Sequence, residues 1–295
     1  MKTLKGTFTA LITPFKNTGE VDFEKLKELV LFQIEKGISG LVPCGTTGES
    51  PTLSHKEHMD VVETVIKAAD NKVTVIAGAG SNSTSEAVEL TRHAKEAGAD
   101  AVLSVNPYYN KPTQEGLYRH FCTIADTVDI PVVLYNIKGR TAVNVETDTL
   151  LRIIANSPGI KAVKEASGDM NQIKEVIDRT PEDFIVLSGD DNLAIKLIKN
   201  GGDGVISVAS NLLPAQMSEM ISSALNGNFE KAEEMHKKLS SIFSACFMET
   251  NPIPIKAAMA IKGMAAEIYR LPMCELRPEN RSRLEKILED SGFIL

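Results

Sequence analysis

The sequence predicts an α/β protein, a (β/α)8 barrel followed by a C-terminal helical extension. Eight short runs rich in Val and Ile and poor in charge recur between Gly6 and Val208, as expected of parallel strands buried on both faces. Amphipathic helical patterns alternate with them through short connections. The G-x-G-x-x-G signature of the rival open doubly wound sheet is absent after the first run. Eight units in 295 residues suit a closed barrel.

The predicted strands are Gly6–Ile12, Gly40–Pro43, Val73–Ala77, Ala101–Val105, Pro131–Tyr135, Ile160–Lys164, Phe184–Ser188 and Gly204–Val208. The first helix, Asp22 to Lys36, gathers Leu26, Leu29, Val30 and Ile34 on one face and stops at Gly37. Ser54-x-x-Glu57 and Ser83-x-x-Glu86 read as capping boxes. Gly98 and Gly201-Gly202 mark helix ends. Beyond Leu212 the pattern is all-helical, with segments Phe229–Met248, Pro254–Met264 and Arg277–Ser291. The expected division is a barrel over 1–225 and a helical extension over 226–295 packed on it.

Composition narrows the function. A hydrophobic share of 43% with 24% charged residues fits a globular chain with a sizeable core. The net charge of -7 and the lack of a basic run argue against nucleic acid as a partner. No apolar stretch approaches the roughly 18 residues of a membrane span. The N-terminus shows no secretory leader. Cys44, Cys122, Cys246 and Cys274 are scattered without a C-x-x-C pair, which suggests reduced thiols. A cytoplasmic protein is expected, without membrane partners.

Catalytic groups of such barrels come from the C-terminal ends of the strands and the loops after them. Those ends carry no histidine, which weighs against metal chemistry; neither metal nor cofactor is expected. Lys164 is the outstanding candidate. Alternation puts Ile160, Ala162 and Lys164 on one face. If that face points inward, desolvation lowers the amine's pKa. An ordinary lysine is neutral in only about one molecule in ~2,500 at pH 7, and attack on a carbonyl needs the free amine. The plain alternative is a solvated lysine at a strand terminus. Tyr135, ending the neighbouring strand, could shuttle protons. Gly45-Thr46-Thr47-Gly48 offers hydroxyls and amides to a carboxylate, and Arg140 could clamp one. Asp190 and Asp191 read as caps of the helix that follows.

Together these residues resemble the pyruvate-dependent class I aldolase / N-acetylneuraminate lyase family. The likeness runs from Gly6-Thr7-Phe8-Thr9-Ala10-Leu11-Ile12-Thr13-Pro14-Phe15 to Asn251-Pro252-Ile253-Pro254-Ile255-Lys256. Between them lie Gly45-Thr46-Thr47-Gly48-Glu49-Ser50, Pro107-Tyr108-Tyr109-Asn110-Lys111-Pro112 and Val163-Lys164-Glu165-Ala166.

The resemblance implies a TIM barrel in which Lys164 forms an imine with pyruvate. It implies a proton relay of Thr46, Tyr135 and Tyr109, with Tyr109 reaching a neighbouring subunit's site. Thr47 would hold the pyruvate carboxylate, Arg140 the carboxylate of aspartate 4-semialdehyde, and the backbone at Gly189 and Ile206 would line the site. The Thr46-Thr47 pair and Arg140 favour the branch that makes 4-hydroxy-tetrahydrodipicolinate for lysine and diaminopimelate synthesis. The alternative is a sibling such as N-acetylneuraminate lyase or 2-keto-3-deoxygluconate aldolase. Lys138 stands where the family usually has proline, which implies a looser or more positive loop around Arg140. Ser50, His55, His58, Gly80, Asn82, Glu86 and Tyr108 match an inhibitory L-lysine site, although Pro51 replaces a frequent alanine. The plain alternative makes His55 and His58 surface residues and Glu86 a helix cap. A homotetramer, a dimer of dimers, is implied.

Overall fold

The computed structural model describes residues 2–292; Met1 and residues 293–295, the outer ends of the two expected segments, lie outside the described residues. Eight parallel strands close in sequence order, each paired with the next and the last with the first. They are β1 (Gly6–Ala10), β2 (Gly40–Val42), β3 (Thr74–Gly78), β4 (Ala101–Val105), β5 (Val132–Asn136), β6 (Ile160–Glu165), β7 (Ile185–Ser188) and β8 (Gly204–Ser207). Every predicted strand is present, with no end moved by more than two residues. At the seam Gly6 pairs with Gly204. A Cβ on Gly204 would stand 2.0 Å from the Gly6 carbonyl oxygen, so closure there requires glycine.

Around the barrel run α1 (Phe23–Glu35), α2 (His55–Ala69), α3 (Thr84–Ala97), α4 (Gln114–Thr127), the short α5 (Lys138–Thr141), α6 (Thr147–Asn156), α7 (Met170–Arg179), α8 (Ala194–Lys199) and α9 (Pro214–Leu225). Then come α10 (Phe229–Ala245), α11 (Ile253–Ile261) and α12 (Pro278–Asp290), the predicted all-helical segment. Asp22 caps α1 through the Lys25 amide, and Ser54 with Glu57 forms the expected capping box on α2. In α1 the buried fourth position is Gln33, not Ile34. Its amide is satisfied by Thr9 Oγ1 and the Ser210 carbonyl, tying α1 to the barrel wall.

Side chains divide into two cores. Phe8, Ala10, Val42, Ile76, Leu103, Val133, Tyr135, Ala162, Leu187 and Ile206 fill the barrel, whereas a larger cluster packs strands against helices. Ile160 corrects the predicted inner face of β6. It belongs to the outer core, because an irregularity in the β5–β6 ladder lets Lys161 bulge between the Val132–Ile160 and Val133–Ala162 pairs. One extra residue resets the alternation, so Ala162 and Lys164 face inward while Ile160 does not.

Candidate active site

Lys164 sits at the top of β6 directly beside Tyr135 at the top of β5. Its side chain is enclosed, with 6% of the residue exposed. Nζ lies 4.1 Å from the centroid of the Tyr135 ring. Burial pulls the amine down to a pKa of about 7, opposed by the charge of Asp191 and reinforced by that of Arg140. The neutral amine is therefore accessible near neutral pH, as an imine-forming nucleophile needs. Gly189 makes room for it: a Cβ there would sit 3.0 Å from Lys164 Cε and 2.6 Å from Ala166 Cβ.

The Tyr135 phenol is pushed up to about 12 by burial, partly offset by Arg140 and by a hydrogen bond with Thr46. It stays protonated at neutral pH and can donate to a developing hydroxide or alkoxide. Thr46 and Thr47 ride on the turn after β2, which is held open by left-handed backbone at Cys44 (φ 54°) and Glu49 (φ 52°). Thr13 Oγ1 donates to the Gly48 carbonyl at 2.6 Å, and Glu49 reaches the buried Lys256 Nζ at 2.5 Å. Thr47 itself is buried, and its hydroxyl accepts from Asn251 Nδ2 at 3.0 Å.

Tyr135, Thr46, Ile137 and Arg140 line one end of a cavity of about 440 Å³. The Arg140 segment follows β5 and carries Lys138-Gly139 at its start. It forms the helical turn α5, with buried Thr141 bonding the Ile137 and Val143 carbonyls and Arg140 Nη2 bonding the Asn251 carbonyl at 3.2 Å. Glu165 helps hold the far side of this loop, since it and Asn144 both accept from Asn136 Nδ2.

The cavity's other end is lined by Ser50, Pro51, His55, His58, Gly80, Glu86 and Tyr108, while Asn82 Nδ2 holds the Tyr108 carbonyl. The second capping box does not form. Ser83 makes no side-chain cap, and Glu86 instead binds Ser81 Oγ and, at 2.7 Å, His55 Nε2. The Ser81 and His55 contacts hold its carboxyl below the usual range. His55 is exposed, but His58 is buried and pushed down to about 4 by desolvation, so it is not a surface residue.

Tyr109 is 89% exposed and lies outside this chain's own cavity. Two further residues, Asp190 and Asp191, depart from expectation. Asp191 does not cap α8, whose N-cap is Leu193. It is buried, accepting the Val208 and Ala209 amides after β8, and burial raises its pKa. Asp190 makes a local turn to the Asn192 amide. Residues not singled out from sequence are Asn251, Glu49 and Lys256, although all three stood inside the segments that carry the resemblance. Among the described residues no cluster of His, Cys, Asp or Glu could hold a metal, and no helix is long and apolar enough to cross a membrane.

A closed β/α barrel with an enclosed, partly neutral lysine against a tyrosine is the architecture of a Schiff-base-forming lyase. The profile of the dihydrodipicolinate synthetase family matches residues 3–291, and the chain belongs to that family. It is 52% identical over 292 residues to the 4-hydroxy-tetrahydrodipicolinate synthase of Koribacter versatilis, covering 99% of this chain and 97% of that one. The dihydrodipicolinate synthase of Acinetobacter baumannii, solved with pyruvate, superposes with a TM-score of 0.97 at 43% identity, over 99% and 100% of the chains. The enzyme of Cyanidioschyzon merolae, solved with lysine bound, gives 0.95 at 40%, over 98% of each.

Proposed function

We propose that this protein condenses pyruvate with L-aspartate 4-semialdehyde to give 4-hydroxy-tetrahydrodipicolinate, through an imine on Lys164. The observation that carries the reading is the enclosed Lys164 amine, held near pKa 7 against Tyr135. The neutral amine adds to C2 of pyruvate, and the carbinolamine loses water with the Tyr135 phenol as proton donor. The iminium draws electrons from the pyruvate methyl group, which gives up a proton and leaves an enamine. The enamine carbon attacks the aldehyde. The substrate amine then adds to the imine carbon, expels Lys164 and closes the ring.

Thr46 passes protons to and from Tyr135, and Tyr109 completes the relay from a neighbouring subunit. Thr47 holds the pyruvate carboxylate, with the backbone at Gly189 and Ile206 closing the pocket. Arg140, lining the cavity, receives the carboxylate of the second substrate. The far end of the cavity suits L-lysine as an inhibitor, with Glu86 taking an ammonium group. The enzyme works in the cytosol as a homotetramer.

Borohydride reduction with pyruvate, followed by peptide mapping, tests the reading. An adduct is expected on Lys164 and none in Lys164→Ala. Arg140→Ala should leave adduct formation nearly intact and reduce turnover of aspartate semialdehyde about 100-fold, the scale of one lost charged contact. Equal loss of both would remove Arg140 from its role.

A further inference from the structure

Asn251 lies between the two loops that carry the proposed carboxylate-binding groups, and it is 4% exposed. Its Nδ2 donates to Thr47 Oγ1 at 3.0 Å, and its backbone carbonyl accepts from Arg140 Nη2 at 3.2 Å. The residue precedes α11, whose Lys256 pairs with Glu49 at the end of the threonine turn. One short C-terminal segment therefore grips both walls of the barrel mouth.

The direction of the Asn251–Thr47 bond has a chemical consequence. A hydroxyl has one proton to give and two positions at which to accept. The amide N–H fills an accepting position, so the Thr47 proton is not spent on Asn251 and remains available. A carboxylate can only accept. We infer that Asn251 is a positioning residue that fixes Thr47 as a hydrogen-bond donor to the carboxylate of the 2-oxo acid while tethering Arg140 to the same point. This rests on the imine chemistry proposed above.

Substitutions at 251 separate this role from simple packing. Asn251→Asp is nearly isosteric, but its carboxylate would take the Thr47 proton and turn an oxygen lone pair toward the substrate. Asn251→Ala merely removes the orienting donor. The readout is the pyruvate concentration giving half-maximal borohydride trapping on Lys164, with folding checked by circular dichroism. The alanine variant should need about 10-fold more pyruvate and the aspartate variant about 100-fold more, on the scale of one hydrogen bond lost against one reversed beside a charge. In a Thr47→Val background both effects should shrink to within about twofold.

An aspartate variant that binds pyruvate as well as, or better than, the alanine variant overturns the inference, because a packing role favours the isostere. Losses that simply add to that of Thr47→Val overturn it as well. If the aspartate variant does not fold, the alanine and valine cycle alone decides. Wild-type protein that forms no adduct with pyruvate would instead refute the imine reading itself.

Discussion

Enclosure inside the barrel holds Lys164 near pKa 7 when folded, against roughly 10.4 in an unfolded chain. Between those values the unfolded chain binds more protons, so this group's contribution makes stability rise with pH across the window. Below about pH 7 both forms are protonated and the destabilisation is complete. Lys164→Met, which cannot titrate, should therefore melt higher than the parent at pH 6, with the gap narrowing by pH 9.5. Melting curves at the two pH values check the sign; a gap that widens with pH contradicts it. Trapping by borohydride should likewise rise about tenfold per pH unit below 7 and flatten above. The inward placement of Lys164 was legible from its alternation with Ala162, though not with Ile160, and that of Tyr135 from its strand end. Asp191 was not. Capping rules are local, whereas its amide partners come from the end of the next strand, 17 and 18 residues on. The Ser83–Glu86 capping box was misread because Glu86 is drawn instead to Ser81 and to His55, the latter 31 residues away on another helix.

Elements were readable wherever period and composition agreed, which covers all eight strands, the first helix and the all-helical C-terminal segment. The irregularity at Lys161 left no such mark, because a bulge reflects pairing with β5 rather than any preference in β6 itself. The link between the threonine turn and α11 was equally silent. Glu49 and Lys256 are both nearly inaccessible, and Lys256 also lies 4.3 Å from the Phe15 ring centroid and donates to the Thr13 carbonyl. A buried pair of this kind adds little over well-packed apolar groups, but removing one partner strands the other charge. Lys256→Met should cost about 3–5 kcal/mol, and adding Glu49→Gln should recover part of that. Urea midpoints for the single and double variants measure it; a double variant weaker than the single would count against the pair.

For the whole molecule, the exposed Tyr109 matters most. A ring 89% open to solvent on the loop after β4 serves the proposed relay only if a second copy presents its site to it. Tyr109→Phe should slow both pyruvate trapping on Lys164 and turnover, while sedimentation still reports an oligomer. A wild-type monomer with full activity would remove Tyr109 from the relay. The barrel itself was legible because each strand and helix is a local unit, repeated in order. The mouth was only half legible, since its bracing is supplied by residues some 200 positions downstream: Asn251 for Thr47, Lys256 for Glu49. That separation sets an order of events during synthesis, when chains emerge N-terminal end first. A nascent polypeptide that has released its eighth strand already owns the nucleophile but not the residues that brace its surroundings. The mouth of such a chain stays unbraced until the segment that carries Asn251 and Lys256 docks.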